Sequence, residues 1–292
     1  MPGIYWYCSL PVIGIGILAF TMYKKRNFID LFSFFLFSTT VGVYGEVIIL
    51  FLFHGYSYRP GVFTDPWAEE ILGHVLPNIG LWGTMAVMAG AFSLRSVWIF
   101  SISIAYMVIE IIFLKLGIYE HHWWRTYITG IAVFVYLTLI KIWYKQLLGR
   151  QLRLIRYITF FCIAWDIIHI PVFLLLLLGK MHFSIGWFAN AYRDSTVFSV
   201  VYNQSIALVF VFFVCVLNKW FWKLTPIILF SLGDIIFMKL NILIFEDGWN
   251  IFYLILLRTL ILGIFILLEK YSLRNSTMKQ EYSSSKKQRS FL

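Results

Sequence analysis

Residues 110–116 read Glu110-Ile-Ile-Phe-Leu-Lys115-Leu, and residues 234–240 read Asp234-Ile-Ile-Phe-Met-Lys239-Leu. Five of the seven positions are identical and the other two exchange like for like, at an offset of 124. Trp124 and Trp249 are 125 apart, and so are Asn78 and Asn203. Several matches holding one spacing are the sequence mark of an internal duplication.

The segments around these matches are too apolar for a water-soluble domain. Of the 292 residues 61% are hydrophobic, 20% aromatic and only 13% charged, and the mean hydropathy is +0.81. Soluble chains carry about 25% charged residues, so lipid must solvate much of this one. Apolar runs of about the 20 residues needed to cross a bilayer occur near 4–22, 31–53, 67–92, 97–118, 126–144, 157–179, 195–217, 222–243 and 250–268. The run at 67–92 is the least regular, with Glu69, Glu70 and His74 in its first turns and Pro77 after them.

Laying the 124–125 offset over these runs predicts an all-α integral membrane protein with about nine transmembrane helices. Residues 1–27 form an N-terminal helix and basic loop, 28–150 a first four-helix repeat, 151–270 a second, and 271–292 a disordered basic cytoplasmic tail. An even number of spans per unit makes the repeats parallel, related by an axis along the membrane normal. Gly80, Gly83, Ala86, Ala89 and Gly90 give the third span a small-residue face for close helix packing.

Charge gives the sidedness. Sixteen of the 24 basic residues fall on one side, in segments 24–26, 95, 145–156, 219–223 and 270–289, against Arg59, Arg125, Lys180 and Arg193 on the other. The basic side is expected in the cytoplasm. This implies a multi-pass plasma-membrane protein with its N-terminus outside and its C-terminus cytoplasmic. The net charge of +10 is then a topological label, and nucleic acid is not an expected partner. The first apolar run has no basic residue before it and reads as an uncleaved helix rather than a secretory signal. Asp65, Glu69, Glu70, Glu120, Asp194, Glu246 and Asp247 fall on the outer side, as solvated loop charge or as an acidic vestibule for cations.

Ionisable groups inside spans cost about 2.5–3.5 kcal/mol each on insertion scales and face protein or water. Glu46, Glu110, Asp166 and Asp234 are of this kind. Counting from the span ends at 1.5 Å per residue, Asp234 and Arg258 lie about 13 Å and about 12 Å deep in consecutive antiparallel helices, which predicts an ion pair. Span five has no base at the matching depth. Glu110 is therefore expected to be either protonated or facing a polar cavity shared with Glu46. Asp166 and His169, three apart, share one helix face, and an Asp–His hydrogen bond is the ordinary expectation there. Asn78, Asn203 and Gln204 complete the candidate intramembrane polar site.

Cys8, Cys162 and Cys215 are scattered singly, and no nucleotide loop, nucleophile elbow or His-Glu-x-x-His occurs. No cofactor and no metal centre is expected. The adjacent His121 and His122 read as part of an outer loop anchored by tryptophan.

Around Glu110–Lys115 and the outer tryptophans the chain resembles an uncharacterised family of small multi-pass membrane proteins from spore-forming Gram-positive bacteria. The resemblance rests on an acidic residue, an apolar triplet, a Leu-Lys-Leu-Gly-like end and a following Gly-Trp. Asp234, Lys239, Leu240, Gly248 and Trp249 match it. Glu110, Lys115, Leu116 and Gly117 match it in the first copy, where His121-His122-Trp123-Trp124 replaces Gly-Trp. It covers about forty residues of each half and implies a helical membrane protein, here in tandem, with no assigned activity.

Three functions fit these features. One is a transporter or permeability protein for a small solute or ion, using intramembrane carboxylates. Another is a membrane-embedded enzyme acting on a lipid or isoprenoid by general acid catalysis through Glu110 with Glu46 or Asp166. The third is a non-catalytic sensor or scaffold of an envelope complex. The expected partners are the lipid bilayer and a small molecule or ion, with a second copy or an envelope protein besides.

Overall fold

The computed structural model describes residues 3–149, 153–217, 219–246 and 248–273. The expected tail at 271–292 lies, after residue 273, outside the described residues. Among the described residues nine helices are long and apolar enough to cross a membrane. They are α1 (Gly3–Lys25), α2 (Phe28–Leu52), α3 (Pro66–Ala91), α4 (Ser96–Lys115), α5 (Thr126–Leu148), α6 (Arg153–Leu177), α7 (Ala191–Val216), α8 (Trp220–Lys239) and α9 (Ile251–Tyr271). Local chemistry sets several starts. The Asp65 carboxylate accepts from the N–H groups of Trp67 and Ala68, with Pro66 in the first turn of α3. Asn190 and Asn250 cap α7 and α9 in the same manner, each supplying partners for N–H groups the helix leaves open.

Unlike a soluble bundle, the molecule carries large apolar side chains on its outside as well as in its core, and buries a number of polar ones. Val12, Val97, Trp98, Leu208 and Phe252 are among the large apolar residues exposed on the outside. Ser33, Thr39, Glu46, Asn78, Asp166 and Asn203 are buried within. At one end of the bundle lie the basic ends of α1 and α5, and there Arg156 pairs with Glu269 and donates to the carbonyls of Ser272 and Leu273.

The opposite end carries two short antiparallel ribbons that an all-α reading omits. Strand β1 (Tyr56–Tyr58) pairs with β2 (Tyr119–His121), and β3 (Met181–Phe183) pairs with β4 (Leu243–Phe245). Three residues per strand are too few to show a period of two. The ribbons also shorten the helices before them. Gly117 (φ 68°) and Asn241 (φ 56°) turn the chain in the left-handed region, so α4 and α8 stop at Lys115 and Lys239 rather than at 118 and 243. Glu110 and Asp234 thus each stand five positions from their helix ends, about 8 Å by the helix rise.

Bonds in the two halves recur at the same spacing. Glu69 accepts from the N–H groups of Gly61, Val62 and Phe63, and Asp194 from those of Ile185, Gly186 and Phe188. Gly61 and Gly186 both have positive φ, 79° and 84°. The Tyr58 N–H donates to Glu70, and the Phe183 N–H to Ser195. Glu69, Glu70 and Asp194 are therefore turned inward, where they lock loops whose N–H groups would otherwise lack partners, while Glu120 and Glu246 remain about half exposed. Between the halves, α2 packs on α6. The Thr40 hydroxyl donates to the Cys162 carbonyl at 2.8 Å, and Tyr44 packs against Trp165 with ring centroids 4.7 Å apart. Asn190 donates to Asp65, its counterpart 125 positions earlier, at 2.7 Å.

Helix α1 lies against the middle of α3, where Gly14 and Gly80 let the backbones touch. A Cβ on Gly80 would sit 2.7 Å from the Leu10 carbonyl carbon and the Pro11 nitrogen, and one on Gly14 would overlap the Gly80 carbonyl. Gly14→Ala should therefore lower the thermal midpoint of the purified protein, with an overpacking cost of about 1–3 kcal/mol. Gly16→Ala, where a Cβ meets nothing within 4 Å, should leave it unchanged. Equal midpoints for the two variants would contradict this packing.

Candidate functional site

The largest concentration of buried polar chemistry lies beneath the first ribbon. Glu46 stands in α2 just before a π-helical stretch, Val47–Leu52. Its Oε1 accepts from the Tyr58 hydroxyl at 2.9 Å and its Oε2 pairs with His74 Nδ1 at 2.6 Å. Asn78, one turn beyond His74, donates to the His74 carbonyl at 2.9 Å. Across from them Glu110 of α4 pairs through Oε1 with His121 Nε2 at 2.8 Å and accepts through Oε2 from the Thr129 hydroxyl. Thr129 is held in turn by Trp124 Nε1 at 2.7 Å.

Glu110 therefore has partners other than a base at the matching depth in span five. They come from the ribbon, which folds His121 back over the helix end, and from a hydroxyl on α5. Lys115 takes no part. Asp234 does meet a base in the adjacent helix: Arg258 Nη1 contacts its Oδ2 and the Tyr202 hydroxyl donates to Oδ1 at 2.8 Å.

Glu46 and Glu110 border one cavity of about 90 Å³. Tyr7, Tyr56, Tyr58, Tyr106, Tyr119, Trp82 and Trp124 form most of the remaining wall. The geometry of this wall is set by contacts between distant parts of the chain. Tyr7 donates to the Ile118 carbonyl at 2.7 Å, which ties α1 to the ribbon. Tyr56 stands edge-on to Trp124, and Tyr58 edge-on to Tyr7. Burial, with Glu46 adding to it, pushes the phenols of Tyr56 and Tyr58 well above their usual range. Burial does the same for Tyr119 with help from Tyr56 and Glu110. All three remain neutral. Tyr106, 8% exposed, has a hydroxyl with no hydrogen-bond partner among the described residues.

Above the chamber a hollow of about 490 Å³ is lined by His54, Ser57, Arg59, Trp67, Glu69, Glu70 and His122. Ser57 Oγ lies 2.8 Å from His122 Nε2 and 3.3 Å from His54 Nε2. His54 is held below the usual histidine range by burial first, then by His122 and Arg193. Tyr58 lines both spaces.

The other polar residues singled out from sequence lie apart from the chamber. Asp166 and His169 are buried in α6 but do not bond to each other. The His169 ring takes Nδ1 toward Asn203 Nδ2 at 3.0 Å and stacks on Trp165, while both Asp166 oxygens lack partners among the described residues. Sharing a helix face did not suffice, because the aromatic stack fixes the ring. Gln204 is half-buried beside Tyr44. Among the described residues no three His, Cys, Asp or Glu side chains are grouped as metal ligands.

His74, His121 and the tyrosines of the wall were not identified from sequence. A comparison of the two halves would have pointed to them. At the 124–125 spacing, Tyr56, Tyr58, Tyr119, His121 and Thr129 face Met181, Phe183, Leu243, Phe245 and Leu254, so the second half is apolar where the first is polar. No family model, curated protein or solved structure matches the chain.

Proposed function

We propose that the chain is a multi-pass membrane protein of two parallel four-helix repeats plus an N-terminal helix. In this reading it is a transporter or permeability protein for a small cationic solute, bound between Glu46 and Glu110. The ribbon end faces outward and the basic end faces the cytoplasm, as the bias in lysine and arginine supports.

The observation that carries this reading is the contrast between the halves. In the second half the acidic residue of the shared motif, Asp234, holds the Arg258 guanidinium, which also lies 5.4 Å from the centre of the Tyr202 ring. The position equivalent to Arg258 in the first half is Val133, and beside its acidic residue there is a cavity instead. One half carries its cation covalently; the other holds its acid with His121 and Thr129 and leaves a cavity beside it for a free cation. Aromatic faces and carboxylates are the groups that stabilise an organic cation away from water. The outer hollow, sharing Tyr58 with the chamber, supplies the approach from the ribbon end.

Guanidinium is the probe that the comparison suggests. Liposomes containing the protein, with an inside-negative potential, should accumulate labelled guanidinium faster than empty ones. Urea, of the same shape without the charge, should not accumulate. Glu110→Gln should reduce the guanidinium rate about tenfold, the loss of one charge-assisted bond. An unchanged rate in a folded Glu110→Gln protein would overturn the assignment.

A further inference from the structure

Two imidazoles meet on the wall of the outer hollow. His54 Nε2 and His122 Nε2 both lie within 3.3 Å of one atom, Ser57 Oγ, and their ring centroids are 4.2 Å apart. Bonds other than their own hold them there. His54 follows the end of α2 with φ 48° and its N–H on the Leu50 carbonyl. The Gly55 carbonyl accepts from the N–H groups of His122 and Trp124, both at 3.0 Å. Trp123 Nε1 donates to the Phe53 carbonyl at 2.8 Å. The helix end and the ribbon are thus clamped together with the two rings side by side, and both histidines are exposed.

The contacts at this point do not use up the ring nitrogens. The Ser57 hydroxyl, also a hydrogen-bond partner of Glu70, has a single proton to share among its neighbours. A neutral imidazole carries its proton on either nitrogen, so both rings can aim an Nε2 lone pair at the same place. Burial, then His122 and Arg193, hold His54 below the usual histidine range, with Glu120 opposing them. Glu69, Glu70 and Arg59 line the same hollow, and Arg59 pairs with Glu120. These acids offset the guanidinium charges of Arg59 and Arg193. The second half has no such pair of rings. At the 124–125 spacing His54, Ser57 and His122 correspond to Gly179, His182 and Glu246, and there His182 pairs with Glu246 at 3.4 Å.

We propose that His54 and His122 bind one divalent transition-metal ion of the zinc class through their Nε2 atoms, with water completing its shell. Imidazole nitrogen suits zinc, copper and nickel, whereas magnesium and calcium take oxygen ligands. A proton shared between the rings would make one of them cationic, which burial and Arg193 oppose at His54. Among the described residues no third His, Cys, Asp or Glu joins the pair as a ligand, so the ion would keep positions open to the hollow.

The test uses the full chain, purified in detergent without a histidine tag. Zinc is titrated in competition with a chromogenic chelator. The wild type should bind one zinc ion per chain more than the double variant His54→Ala, His122→Ala, and magnesium should not compete. Each single variant should weaken binding by at least about tenfold, the loss that even an outer-shell partner of a metal causes. Ser57→Ala, which removes only the intervening hydroxyl, and His182→Ala in the second half should bind as the wild type does. The thermal midpoints of the metal-free proteins check that the variants are folded. Equal zinc binding by the wild type and the double variant would overturn the proposal, as would a wild type that binds no zinc at micromolar concentrations. Loss of binding in His182→Ala would also overturn it, by placing the ion elsewhere. The titration needs no transported solute, so its outcome is independent of guanidinium uptake.

Discussion

Replacing Arg258 with leucine should sharply lower the amount of folded protein that accumulates in membranes. Asp234 is fully buried, and its only partners among the described residues are Arg258 and the Tyr202 hydroxyl. Removing one member of a buried pair strands the other charge, at a cost of about 3–5 kcal/mol. That is a large fraction of the about 5–15 kcal/mol by which folded proteins are commonly stable. The loss should come from the stranded charge rather than from a missing attraction, so removing both charges should restore most of it. The double variant Asp234→Leu, Arg258→Leu should accumulate and melt much closer to wild type than Arg258→Leu alone. Exchanging a whole buried pair for apolar residues is often neutral. A single variant as stable as wild type would show that the pair carries no weight. A double variant no better than the single would show that Arg258 acts through packing.

What the sequence disclosed followed the range of the forces involved. Span positions depend on local composition, and the nine apolar runs correspond to the nine long helices within a few residues. The pair of Asp234 and Arg258 could be placed because α8 and α9 follow one another in the chain and pack as antiparallel neighbours, although the connection between them carries β4. Glu46 and His74 are 28 positions apart, in helices whose relative rotation no local pattern sets. His121 reaches Glu110 only because a three-residue ribbon folds it back over the helix end. The small-residue face on α3 was legible, but its use against Gly14 of α1 was not, since that contact depends on where the extra N-terminal helix docks. Comparing residues 124 or 125 positions apart held information that composition did not. Around the chamber, Tyr56, Tyr58, Tyr119, His121 and Thr129 each correspond to an apolar residue at that spacing. The acid is an exception, kept in the second half, where it carries its own cation.

That exception can be turned into the most direct test of the chamber. Val133 is 1% exposed and stands seven positions into α5, as Arg258 stands seven positions into α9. Thr129, one turn before it, bonds to Glu110. Helical side chains lean toward the N-terminus of their helix, so a long side chain at 133 extends past Thr129 toward the carboxylate. Val133→Arg should therefore place a guanidinium in the chamber and pair it with Glu110, copying the second half. An unpaired arginine at this depth would cost several kcal/mol and the protein would not accumulate. A paired one should give a protein with near wild-type accumulation and melting but with guanidinium uptake reduced to the level of empty liposomes. Adding Glu110→Gln to Val133→Arg should then be more destabilising than Glu110→Gln is in the wild-type background, because the tethered cation loses its counter-charge. Undiminished uptake in a folded Val133→Arg protein would show that solute does not pass through this cavity. Collapse of the single variant would show that the first half cannot accept the arrangement found in the second.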